Sequence, residues 1–412
     1  MPARRLVFAG LALALAALPP AVGHAADAPA APAPAPKPEE VVTTALGALK
    51  LGEGLVAQQV ILFPLILETP PPVLEIVPAL GGAVITVEEP ASGVDKVKVK
   101  NVAAKASLLL AGTVLEGGLR DRVVREDVLL PAGATAEIAT VPGSMSTDRR
   151  KEPKPFKVAD FLAPPYLRDS ALFRASSASI TSKFISHFLE FRNEGDKRRS
   201  LAAIGGSDTL AEYCLPCQRS MAQWPDKREA GFVVGGIAVV RGRVQAVDVF
   251  ATNALLVGWF SPLLKSLSFP AAAIELRAKK AGVPLPGGDD PKAVLDAATA
   301  AAKTLAAGLA KATLVRRDVP AGADGHLFTV TLPDGERGLA LVAEGALLHL
   351  ALYPHDAFEY GLYAEPLVPL EGEDVSGTDD DTLDPFAQRA KIGARMTEQE
   401  RRLLERLRGG NR

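Results

Sequence analysis

The chain has 412 residues, 48% of them hydrophobic and 23% charged, enough apolar material to bury the core of one large domain or of two ordinary ones. Its 46 Lys and Arg stand against 48 Asp and Glu, a net charge of -2. That balance gives no bulk attraction to nucleic acid or to an anionic membrane, because such binding draws on many neutralised phosphates.

At the N-terminus, Arg4 and Arg5 precede an apolar run from Leu6 to Leu18, followed by Pro19, Pro20 and small residues ending at Ala25 and Ala26. The run is shorter than the ~20 residues a membrane-spanning helix needs. The expectation is a signal peptide over 1–25, cleaved after Gly23-His24-Ala25, with a short uncleaved anchor as the alternative. The mature protein is then periplasmic or secreted and holds no membrane segment. Residues 26–40 are rich in Ala and Pro and read as an extended tether.

Residues 41–50 suit a short helix, and the apolar run 59–68 a buried strand that Pro64 assigns to an edge or a bulge. Residues 83–88 form another strand. In DKVKVKNV, Val97 and Val99 alternate with Lys96, Lys98 and Lys100, the period of a half-exposed strand. Its lysine row reads as a solvated outer face, with a polyanion stripe as the alternative. Residues 106–131 are the densest stretch: an apolar strand, a turn with Gly112, Gly117 and Gly118 carrying Glu116, Arg120, Asp121 and Arg122, and a second apolar strand stopped by Pro131. Residues 134–141 are expected to pair back on that second strand across Pro131-Ala132-Gly133.

Five prolines mark 142–170 as a long loop or strap. A helix over 179–192 presents Ile180, Phe184, Ile185 and Phe188, with His187 in a surface or structural role. Cys214 and Cys217 follow residues that read as a capped helix start and not as a strand, so a structural disulfide is expected and thioredoxin-like exchange is the alternative. Residues 231–250 are a hairpin turning at Arg241-Gly242, with Asp248 near its end as a cap for the helix over 253–267 or as a site residue. No other run is read as long enough for a membrane. Asp290 and Pro291 start an Ala-rich helix, and four strands follow from Thr313 to Tyr353. His349, inside LLHLALYP, reads as a hydrogen-bonded core histidine or as a site residue. The acidic stretch 366–384 is expected to be disordered and 385–412 to contain a capped basic helix.

The class these elements predict is α+β, mostly antiparallel β-sheets with three or four packed helices in one large domain over 41–365. The order QVILFPLI, KVKVKN, SLLLAGTVLEGGLRDRVVREDVLLPAGATAEI, VGGIAVVRGRVQAVDVFATNALL and GLALVAEGALLHLALYP resembles the ARG and Rhodanese-Phosphatase-superfamily-associated protein domain family, over roughly Leu51 to Pro354. The resemblance implies a link to ADP-ribose, NAD-derived or phosphorylated nucleotides. Gly112, Gly117 and Arg122 match the family's central motif, whereas Thr113 and Arg120 stand at its acidic and glutamine places.

The candidate ligand-binding residues are Gly112, Glu116, Gly117, Gly118, Arg120, Arg122, Asp248 and His349. Guanidinium groups pair with phosphate or carboxylate, and glycines let backbone N–H groups approach an anion. A small anionic ligand or a protein partner is therefore expected, against the reading that these charges neutralise one another across the hairpin. A hydrolase using Glu116 or Asp248 as general base is the second reading, and a thiol protein using Cys214 and Cys217 the third. No nucleic-acid partner, no cofactor and no metal site is read from the sequence.

Overall fold

A computed structural model describes residues 36–90, 95–174, 177–221, 231–281 and 290–354. The signal peptide, most of the tether, the acidic stretch and the C-terminal helix expected from the sequence lie outside the described residues.

The chain begins with α1 (Pro38–Gly47), β1 (Lys50–Leu51), β2 (Leu55–Ala57), β3 (Val60–Leu67), β4 (Ile76–Pro78), β5 (Ile85–Glu88) and β6 (Lys96–Asn101). Next come β7 (Ala106–Leu109), β8 (Thr113–Gly118), β9 (Arg122–Val124), β10 (Val128–Leu130), β11 (Thr135–Pro142) and β12 (Lys154–Leu162). Helices α2 (Pro165–Phe173), α3 (Ser177–Phe188), α4 (Leu201–Gly205) and α5 (Asp208–Met221) lead to the hairpin β13 (Phe232–Val240) and β14 (Arg243–Phe250). Then follow α6 (Asn253–Ala281), α7 (Pro291–Leu309), β15 (Thr313–Arg317), β16 (His326–Thr331), β17 (Arg337–Ala343) and β18 (Ala346–Tyr353). The class is α+β with mostly antiparallel sheets, and seven α-helices are described where three or four were expected.

A nine-stranded antiparallel sheet in the order β1-β3-β13-β14-β18-β17-β16-β15, with β2 beside β3, is the frame. Its central strands are covered on both faces, which is why β18 is buried at every position. Helices α1 and α7 pack on one face, over Phe63, Val247, Val249, Leu350 and Leu352. Helices α2 and α6 pack on the other, over Ala246, Phe250, Ala351 and Tyr353. Pro64 does not make β3 an edge strand, because β13 pairs along one side and β1 and β2 along the other. The sheet accommodates it by interruption: the chain breaks between β1 and β2 opposite Pro64, and the β13 ladder shifts register between Val233 and Gly235.

The stretch 106–131 is two nested strand pairs and not one hairpin. Its outer parts, β7 and β10, pair with each other in a three-stranded sheet, and β4 joins β7 in parallel. Its inner parts, β8 and β9, pair within a six-stranded sheet ordered β12-β8-β9-β11-β6-β5. The break falls at 110–112 and 125–127. There the Asp127 carboxylate accepts the Ala111 N–H at 2.8 Å, and the Gly112 N–H reaches the Val124 carbonyl at 2.8 Å. β11 accordingly does not return on β10; it pairs with β9 and β6. β5, at one end of the six-stranded sheet, packs against β12 at the other, so the sheet curls into a barrel around Val97, Val99, Leu115, Val124 and Ile138. Along β6 the valines point into this interior and Lys96, Lys98 and Lys100 are exposed.

Residues 142–170, expected as a loop, hold β12 and the start of α2. Prolines are compatible with both. Pro155 lies on an edge strand whose register shifts beside it, and Pro164 and Pro165 occupy the first positions of α2, where no intrahelical N–H is needed. Eight residues of α2 in a row are buried, including Arg168, Asp169 and Ser170. α6 also runs beyond the expected end and includes Pro262 and Pro270. Its stretch Asn253–Ala272 is long and apolar enough to cross a membrane, but 67% of that window is buried in the fold, where α6 packs on β12, β13, β14 and α5.

Candidate functional site

The structure distributes the eight candidate residues over two charged groups. The first is built on the helix-covered face shared by β14 and β18. Register pairs Phe250 with His349 and Asp248 with Ala351, and alternation places all four with Tyr353 on one face. Ala351 has no side chain long enough to cover Asp248, and α2 lowers Arg168 into the space. The Arg168 guanidinium donates to Asp248 at 2.7 Å through Nη2 and 3.4 Å through Nη1, and lies 5.1 Å over the Tyr353 ring. His349 Nε2 is 3.3 Å from Asp248 Oδ1, and its Nδ1 is 2.6 Å from Asp127 Oδ2. The Phe250 ring packs on the imidazole at 4.6 Å.

Gly112 belongs to this group and not to a ligand turn. It has φ +88°, and a Cβ there would stand 2.5 Å from Arg168 Cγ, so a side chain at 112 and the path of Arg168 exclude each other.

Asp127, Arg168 and His349 are at most 1% exposed and Asp248 is 5% exposed. With a carboxylate oxygen facing each ring nitrogen, His349 satisfies both only as an imidazolium. Two carboxylates then balance one guanidinium and one imidazolium. Burial alone would lower the His349 pKa, but the Asp127 charge and hydrogen bond, with Asp248 behind them, raise it to about 9. Burial would raise Asp248; Arg168 and His349 outweigh that and hold it at about 2. Burial would likewise lower Arg168, and the Asp248 charge reverses the direction. Asp248 is thus a counter-ion. It is not the cap of α6, a role that falls to Thr252, whose Oγ1 accepts the Leu255 N–H at 3.1 Å.

The second group lies at the β8–β9 end of the barrel. Gly117 at φ +144° and Gly118 at φ +57° turn the backbone so that two N–H groups meet carboxylates: Gly117 donates to Asp121 at 3.0 Å and Leu119 to Glu89 at 3.0 Å. Asp121 is fully buried and also receives Arg150 at 2.7 Å. Arg122, 1% exposed, reaches Glu89 at 3.2 Å through Nη2. Arg120 donates through Nη2 to the Ser144 carbonyl. Its pKa is lowered by burial first and then by Arg122 and Arg149, so these cations crowd one another. Arg149 is exposed, Arg120 half-buried and Arg122 buried, a graded row from solvent inward. Glu116 is held by Arg198 at 2.7 Å and Lys157 at 3.0 Å. Among the described residues, Arg120 Nε and Arg122 Nε and Nη1 are buried without a hydrogen-bond partner.

Cys214 is buried in α5, which also carries Cys217; the Cys217 side chain, like that of His187 in α3, lies outside the described part. Among the described residues no group of three or more His, Cys, Asp and Glu is arranged to hold a metal ion. In the Asp127–His349–Asp248 row the imidazole has no lone pair to offer, since each ring nitrogen faces a carboxylate. An open groove of about 380 Å³ between α1 and the β14–β18 end is lined by Val41, Ala45, Leu49, Val249, Phe250 and Leu347 among others, and by none of the charged residues described above.

Glu89, Asp127, Arg150 and Arg168 take part in these groups without having been expected to. For Arg168 a signal existed: PPYLRDSALF places an Arg-Asp pair within an otherwise mostly apolar run, which suits a buried ion pair better than a loop.

No curated protein and no solved structure matches the chain. Residues 48–183 match the family model described as ARG and Rhodanese-Phosphatase-superfamily-associated Protein domain, a span that runs from just before β1 into α3.

Proposed function

We propose that the protein is an exported binding domain that takes an anionic ligand at the β8–β9 end of its barrel, with Arg122, Arg120 and Arg149 as the recognising cations. The observation that carries this reading is Arg122, a guanidinium nearly without exposure that uses one nitrogen on Glu89 and keeps two buried nitrogens unpartnered. Leaving buried donors unsatisfied costs about 1–3 kcal/mol each, an expense that an anion with several oxygens removes. The hydrolase reading has less support. Asp248 and His349 are locked together under α2, and both Glu116 oxygens are engaged by cations, so no candidate base stands beside an open position for water.

The test is calorimetric titration of the mature protein with inorganic phosphate, ADP-ribose and NAD. Arg120→Ala and Arg149→Ala are the informative variants, because neither residue is fully buried and substitutions at such positions cost less stability than in the core. Each is expected to weaken binding by about 5- to 10-fold, the worth of a partly exposed charge-assisted contact. Binding that ignores both substitutions, or no binding of any anion, overturns the proposal.

A further inference from the structure

We propose that the barrel end is a subsite for a phosphate dianion and that the chain supplies its own placeholder there, the Glu89 carboxylate, which the ligand displaces. This inference rests on the binding reading above and names the chemistry of the ligand.

The place where Glu89 sits is already an anion site. One oxygen accepts from the buried Arg122 guanidinium at 3.2 Å and the other from the Leu119 N–H at 3.0 Å. Gly118 lines it: at φ +57° the backbone favours glycine, and a Cβ there would run into Phe156 Cζ and stand 2.7 Å from Glu89 Oε1, so the bare glycine lets both side chains lie against this turn. Guanidinium, backbone N–H and a glycine wall are the parts from which phosphate sites are assembled.

The two carboxylates of the turn differ in how firmly they are held. Asp121 is fully buried between the Gly117 N–H and Arg150, inside the turn it stabilises. Glu89 arrives from outside, one residue beyond the end of β5, and its side chain is 17% exposed. Rotation about its own side-chain bonds carries the carboxylate into solvent without breaking any strand pairing.

Charge and oxygen count then select the ligand. Arg120, Arg122, Arg149 and Arg150 gather around Asp121, Asp148 and Glu89. Withdrawing Glu89 leaves two positive charges uncompensated, matching the -1.5 to -2 that a phosphate monoester carries near neutrality. The unpartnered Arg122 and Arg120 nitrogens offer more donors than the two oxygens of a carboxylate occupy. A phosphate brings a third terminal oxygen.

The experiment compares the full mature chain with Glu89→Ala and Glu89→Gln, titrated with inorganic phosphate and with acetate at one fixed low ionic strength. Removing the placeholder is expected to tighten phosphate binding about tenfold or more, with acetate gaining far less. Glu89→Gln keeps the size of the side chain and an acceptor for the Leu119 N–H while losing the charge, so it reports even where Glu89→Ala destabilises the turn. Equal phosphate affinity in wild type and both variants overturns the placeholder and leaves the binding reading standing. Equal gains for acetate and phosphate overturn the ligand class. Absence of phosphate binding in all three proteins, together with silent Arg120→Ala and Arg149→Ala variants, removes the binding reading itself.

Discussion

His349 makes the stability of this protein depend on alkaline pH in a calculable way. The imidazole titrates at about 9 in the folded protein, against an ordinary value of 6.5 for an unfolded chain. Since the folded value is the higher one, the folded state binds the proton more tightly. The resulting stability is fully present below pH 6.5, declines as the pH rises, and is gone above about pH 9. At about 1.4 kcal/mol per pH unit, that interval is worth ~3 kcal/mol, and with the ring fully buried no discount for solvent screening applies. Asp248 does not interfere in this window: its folded value of about 2 lies below the ordinary 3.8, so its contribution is present above pH 3.8 and is lost as the pH falls through 2. The assay is denaturant unfolding of wild type and His349→Gln at about pH 6 and about pH 9.5, taking the wild-type-minus-variant difference at each so that other titrating groups cancel. The difference is expected to shrink by ~3 kcal/mol between the two conditions. A difference that stays constant or grows towards alkaline pH refutes the imidazolium assignment.

Two further outcomes follow from the same geometry. Gly112→Ala forces a β-carbon into φ +88° and to within 2.5 Å of Arg168 Cγ, so a destabilisation of about 3 kcal/mol or more is expected in thermal or urea melts, far above that of an ordinary surface change. Replacing Lys96, Lys98 and Lys100 together by Gln alters only the outer face of β6 and should leave stability within about 1 kcal/mol, and phosphate affinity unchanged when measured by the same calorimetry.

Strands with a clean period were legible from the sequence. The alternation of β6, the hairpin of β13 and β14 with its Arg241-Gly242 turn, and the Asp290 cap of α7 each follow from local rules, and each is found in place. What local rules did not reveal is partner choice. β7 through β10 read as one hairpin because their apolar runs are continuous, yet a change of sheet at 110–112 and 125–127 needs only one carboxylate, Asp127, to take the Ala111 N–H. α2 was hidden by its prolines, which mark a loop unless they open a helix. Asp248 and His349 stand out in the sequence as polar residues inside apolar runs, but the residue that pairs with Asp248, Arg168, comes from 80 positions away. Pairing over such a separation leaves no periodicity in the sequence.

The two charged groups also bear on what the family match encloses. Residues 48–183 contain Asp127 and Arg168, but the ions that neutralise them, His349 and Asp248, lie on β18 and β14 beyond it. β3, inside the match, is paired along its whole length by β13, outside it. A chain ending at 183 would lack the counter-ions of Arg168 and Asp127 along with strands that cover them, and would leave the side of β3 that β13 occupies open. The barrel end is different: Glu89, Leu119, Arg120, Arg122, Arg149 and Arg150 all lie within the match. The matched stretch therefore holds most of the barrel-end charges, with Arg198 on Glu116 joining them from beyond it, whereas β3 and the buried Asp127 and Arg168 find their partners on strands after 230.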